Sequence, residues 1–287
     1  MRKRSGFTII ELLVVLIVGG ILMAAAYRTI ISQERSYRVY DAAVSTQQAT
    51  RLSLQVLSAE LREMSTEGAD LAYANDDSIT FRALRKLGFI CELNKPLKQI
   101  TVVRLGSEAF VGGANGDSVV VYVDGDTLTG SDDSWDLAQV SNASAATCTS
   151  VAGLAIASAL VGGTQTLLKL NGAPHIDSVN IGAPVRSFDR VTYAVKQFGD
   201  TWYLARATAP DTMVPIIGPL APPSRGGLVF TYYDTIGNTL TSLPLDSAAR
   251  AAVHRIQVTV RGQKTTNAGT MQTYLDSLTT DIFIRGG

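Results

Sequence analysis

Residues 7–26 read FTIIELLVVLIVGGILMAAA and are apolar except for Thr8 and Glu11. A helix over this segment rises about 30 Å, enough to cross the hydrocarbon core of a bilayer. The basic cluster Arg2, Lys3 and Arg4 precedes it. By the positive-inside rule that end stays cytoplasmic, which places the rest of the chain on the outer side of the membrane. Glu11 is the anomaly. A carboxylate within a membrane helix costs about 2.5–3.5 kcal/mol on insertion scales, so its presence marks a function.

An ordinary secretory signal competes for this segment, and Ala24-Ala25-Ala26 imitates its small-residue cleavage site. Such a signal has a shorter apolar region and no acid near its start. A plain signal anchor meets the same difficulty at Glu11. The run Gly6-Phe7-Thr8-Ile9-Ile10-Glu11-Leu12-Leu13-Val14-Val15-Leu16 resembles the cleavage and assembly signature of type IV pilins, minor pilins and type II secretion pseudopilins. The resemblance implies that a prepilin peptidase cuts between Gly6 and Phe7 and N-methylates the new terminus at Phe7. It also implies that Glu11 pairs with the terminal amine of a neighbouring subunit during assembly. The physics agrees: facing opposite charges attract strongly in low dielectric, and either alone is penalised. Glu11 would then set axial register. Gly19-Gly20 lies mid-span, where glycine costs about 1 kcal/mol against alanine. Close helix–helix approach and local melting both account for it.

From Tyr27 the chain contains no Gly or Pro until Gly68. Tyr40, Val44, Leu54, Leu57, Leu61 and Met64 recur at three- and four-residue spacing, with Gln47 and Arg51 in the same register. This predicts one continuing amphipathic helix to about Glu67, polar in its middle. Beyond Gly68 the period becomes two, and strands are expected at 78–84, 98–105, 117–123, 191–195, 201–206, 228–233, 254–260 and 280–284. Residues 196–200 read as a hairpin loop. Strands without alternating helices predict antiparallel sheet, so the expected class is α+β. The apolar stretch from Val151 to Val161 is too short to span a bilayer and reads as a core helix or buried loop. The expected division is a cleaved leader over 1–6, a membrane and assembly helix over 7–26, a stem helix over 27–67 and a β-rich head over 68–287. Residues 48–63, the 191–206 hairpin, 228–234 with Gly237, and the closing strand ending at Arg285 are also similar to PilW-type minor pilins and the J pseudopilin of type II secretion.

Lys plus Arg equals Asp plus Glu at 25 each, which argues against a nucleic-acid partner. Cys91 and Cys148 read as one disulfide in an oxidising compartment, or else as two unrelated buried thiols. The loop from Asp124 to Asp133, with Asp126 and Asp132 between them, offers clustered carboxylates of the kind calcium prefers. It lacks the EF-hand order, and a solvated hairpin tip accounts for it as well. No other cofactor is expected. His175 and His254 are the only histidines, and neither sits in a catalytic sequence pattern.

The resemblance therefore implies a non-catalytic minor pilin or pseudopilin that helps initiate or cap a type IV pilus or type II secretion pseudopilus. Its partners would be other minor pilins, the major pilin, the prepilin peptidase and the inner-membrane assembly platform. The alternatives are a tip adhesin or binding module, and a membrane-anchored hydrolase. A deep polar pocket at His175 or His254 with acidic partners would favour the hydrolase.

Overall fold

The computed structural model describes residues 8–65, 69–125, 133–148, 165–173, 175–267 and 271–284. Helix α1 spans Ile9–Leu61 without a break. It contains no proline, and its helix-weakening glycines are confined to Gly19 and Gly20. Thr8 caps its start: the Glu11 N–H donates to the Thr8 hydroxyl at 3.4 Å. At the far end the Arg62 N–H closes onto the Ser58 carbonyl at 3.3 Å. The helix thus stops short of Glu67. The Asp70 carboxylate accepts from the Ser65 N–H at 2.8 Å, and the Asp70 N–H returns a bond to the Ser65 carbonyl. This clasp turns the chain out of the helical path and into the head.

The head is antiparallel sheet, as expected. Its strands are β1 (Leu71–Ala74), β2 (Ser78–Asn94), β3 (Gln99–Leu105), β4 (Ser118–Val123), β5 (Ser134–Ala145), β6 (Gln165–Gly172), β7 (Pro184–Phe198), β8 (Thr201–Thr208) and β9 (Val214–Leu220). A second sheet holds β10 (Leu228–Tyr233), β11 (Thr239–Leu240), β12 (Arg255–Asn267) and β13 (Met271–Phe283). A short helix α2 (Ser247–Ala251) precedes β12, capped by the Asp246 carboxylate accepting from the Ala249 N–H at 2.8 Å.

Among the described residues the first sheet runs β1-β2-β3-β6-β5-β4-β7-β8-β9, and β2 also pairs with β7. That extra pairing closes β2, β3, β6, β5, β4 and β7 into a ring. The ring is a small antiparallel barrel, in which edges are abolished and side chains fill the interior. Ile90, Ile100, Val102, Val119, Val121, Val140, Leu168 and Val185 are fully buried there and form a core separate from the rest of the head. Strands β2 and β7 are long enough to serve twice. The Ser78–Leu84 half of β2 lies on the Phe188–Ala194 half of β7 beneath the stem, while residues 87–94 of β2 continue into the barrel against β3.

The main core lies between α1, the outer part of the first sheet and the second sheet. Leu57, Leu61 and Met64 meet Phe81, Tyr193, Phe230, Tyr232, Val258 and Val260, all buried. The upper half of the stem's packed face differs from the expected register. Tyr40 is 70% exposed, and Gln47 and Arg51 are also exposed. Ala42, Thr46, Ala49, Thr50 and Ser53 are buried in their place. The cause is a close approach to β12: a Cβ on Gly262 would stand 2.6 Å from Thr46 Cγ2 and 2.9 Å from the Thr46 carbonyl oxygen. Only small or hydroxyl side chains fit along that line. Ion pairs pin the helix on either side, with Asp41 at 2.8 Å from Lys264 and Glu60 at 3.5 Å from Arg85.

Each of the eight expected strand segments meets a strand, with Lys98, Asp117, His254 and Ile284 falling one residue outside, and some strands run well beyond the expected bounds. The hairpin at 196–200 tightens to Gly199-Asp200, because β7 and β8 stay paired to Phe198↔Thr201. Gly199 adopts φ 61, the left-handed value that tight hairpin turns require.

Candidate functional site

The apolar part of α1 is bare. Ile9, Ile10, Leu12, Leu13, Val14, Val15, Leu16, Ile17, Ile21, Leu22 and Met23 are each at least half exposed, and none of the apolar window is covered by the head. Length and hydropathy suit a membrane crossing. Glu11 lies in the first helical turn, where a carboxylate is favoured by the positive end of the helix dipole. It is exposed on this uncovered segment. A Cβ at Gly19 or Gly20 would meet nothing within 4 Å, so no packing inside this chain demands glycine there. Gly6 and Phe7 lie outside the described residues.

Cys91 and Cys148 are joined as a disulfide with Cα atoms 6.0 Å apart. The bond ties β2 to the segment leaving β5, closing 57 residues of chain. The stretch Val151–Val161, which follows, lies outside the described residues.

The two histidines sit in different surroundings. His175 approaches Asp136 at 3.0 Å through Nδ1, and its backbone N–H donates to the same carboxylate at 2.7 Å. Asp136 thereby fixes the start of the 3-10 turn Ile176–Ser178. His254 stacks edge-on against Phe283 at 5.9 Å, and its Nδ1 is buried without a partner among the described residues. Of the calcium candidates, Asp124 and Asp133 flank the loop, while Asp126 and Asp132 lie outside the described residues. Among the described residues no group of three or more His, Cys, Asp or Glu side chains converges on a point.

Two arrangements escaped sequence reasoning. One is a cavity of about 320 Å³ where the segment after α1 meets β1, β2, β7 and α2, lined in part by Asp70, Arg82, Arg190 and Arg250. Desolvation by burial raises the Asp70 carboxyl above its usual range, opposed by the Ser65 N–H and by Arg186 and Arg82. Arg186 lies over the Trp135 ring at 4.0 Å. The other is a cleft of about 890 Å³ on the outer wall of the barrel, lined by loops 114–117 and 209–211 and by β5, β6 and β7. No periodicity announces either, since both draw on residues far apart in sequence.

Residues 1–27 match the family model described as the prokaryotic N-terminal methylation motif. No curated protein and no solved structure matches the chain. The motif supports a type IV pilin-like chain, and the bare apolar helix fits inner-membrane anchoring.

Proposed function

We propose that this chain is a minor pilin or pseudopilin, a non-catalytic subunit that helps initiate or cap a type IV pilus or a type II secretion pseudopilus. The observation that carries this reading is the methylation motif on the free end of one continuous helix, whose other end is locked to a large head. The leader 1–6 is removed by the prepilin peptidase, and Phe7 becomes the methylated terminus. Glu11 then meets the amine of an adjoining subunit within the apolar helical core, where each charge needs the other. The head projects into the periplasm. Its width, with a complete barrel beside the stem-packed sheet, suits a position at the filament tip better than a repeating one. The partners are other minor pilins, the major pilin and the inner-membrane assembly platform.

Mass spectrometry of the mature protein tests the reading. The expected product begins at a methylated Phe7. Protein that keeps residues 1–6 in a cell with an active prepilin peptidase would refute it.

A further inference from the structure

The barrel-wall cleft has the construction of a ligand site. Its rim is held rigidly. Gly112 and Gly116 press the connector 112–117 against β5, where a Cβ on Gly116 would stand 1.9 Å from the Val140 carbonyl oxygen. The Asp117 carboxylate takes Lys86 Nζ at 2.7 and 2.9 Å and the Val111 N–H at 2.8 Å, and the Val140 N–H donates to the Asp117 carbonyl at 2.9 Å. So anchored, the connector holds Asn115 exposed at the cleft rim.

The cleft is faced by side-chain amides and a hydroxyl suited to hydroxyl groups, with Asp117, Asp189, Arg190 and Asp211 bringing charges of both signs. The carboxamides of Asn115 and Asn171 and the hydroxyl of Ser118 have no hydrogen-bond partner among the described residues, and Gln139 makes only a long 3.4 Å bond to the Ala114 carbonyl. A carboxamide both donates and accepts, which matches a hydroxyl group's own duality. Charge is nearly cancelled: Asp117 is neutralised by Lys86, and Asp189 by Arg85 at 2.9 Å. Arg190 and Asp211 leave one charge of each sign. Leu137, 49% exposed, and Pro210 supply apolar contact. Amides around an apolar patch, in a space of this size, suit a ring with hydroxyls at its edge and C–H bonds on its face. A nucleic acid would require clustered positive charge.

We infer that this cleft binds a neutral saccharide. Asn115, Asn171 and Gln139 bond to ring hydroxyls, and Leu137 and Pro210 lie under the sugar's C–H face. The site does not depend on the filament reading.

The test uses the full chain in a non-glycosidic detergent, so that no sugar headgroup competes. Saturation-transfer NMR against neutral hexose and N-acetylhexosamine oligosaccharides should show binding. The Asn115→Ala/Asn171→Ala double variant should bind about ten-fold more weakly or worse. Gln55→Ala, on the exposed face of α1, should bind as the parent does. Transfer to none of the neutral sugars, transfer only to acidic sugars or peptides, or equal transfer to the double variant overturns the proposal. Processing at Phe7 is read separately by mass and is unaffected by any of these outcomes.

Discussion

Gly262 and Thr46 touch across more than two hundred residues of sequence and decide how the stem sits. A side chain at Gly262 would meet helix backbone, which cannot yield as a flexible side chain can. Gly262→Val should therefore cost about 1–3 kcal/mol, read as a lowered Tm in thermal denaturation. Unchanged stability would mean that the helix is not so closely held. Asp70 offers a test with pH. Its carboxyl is raised in the folded state by burial, so its favourable share is fully present below the unfolded value near 3.8. That share is lost as pH rises through the raised folded value. The stability of the parent relative to Asp70→Asn should accordingly fall as pH is raised through this range; a flat or rising difference contradicts it. Neither site was legible beforehand. The sequence pattern places Gln47 and Arg51 on the packed face and passes over Thr46, Thr50 and Ser53, because hydropathy does not know that β12 comes close enough to exclude larger groups.

The elements divide by how local their causes are. Helix α1 was legible because its signals are consecutive: an unbroken apolar run, then no glycine or proline through the stem. Strands β3, β4, β10 and β12 were legible from dense β-branched alternation. Strand β5, reading SWDLAQVSNASA, was not; it is rich in Ser, Ala and Asn and gains its place from neighbours on both sides. Strand β9 carries two prolines, which an edge position tolerates. The barrel itself could not be read, since closure depends on β2 meeting β7. The disulfide was half legible: an even pair in an oxidising compartment suggests the bond, and only the fold shows that it ties a barrel strand to the loop beyond β5. By chain entropy a loop of 57 residues is stabilised by about 4 kcal/mol. Cys91→Ser should lose roughly that amount in denaturant titration. A midpoint equal to that of the parent would show the bond to be dispensable.

At the scale of the molecule, the stem is packed only from Ala42 onward, and the bare portion before it rises about 50 Å. A helix so exposed needs lipid or neighbouring helices along its length. Glu11→Ala should leave cleavage intact while reducing incorporation into filaments, as measured by the ratio of sheared-filament to membrane-bound protein. Wild-type incorporation would remove the carboxylate from assembly. This much was legible, because the N-terminal signal is contiguous. The saccharide cleft was not, because Asn115, Asn171, Asp211 and Leu137 come together only after the barrel has closed.

The two strands shared by stem sheet and barrel have a mechanical consequence. A lobe hung on a flexible linker swings freely and passes on little torque. Here β2 and β7 run from beneath the helix into the barrel, paired on both sides of a register shift at Arg85. Tension arriving at the far rim travels through two covalent backbones and loads their cross-strand hydrogen bonds in shear, together, not one at a time as in unzipping. A pull on whatever the barrel holds is thereby delivered to the shaft with its direction preserved.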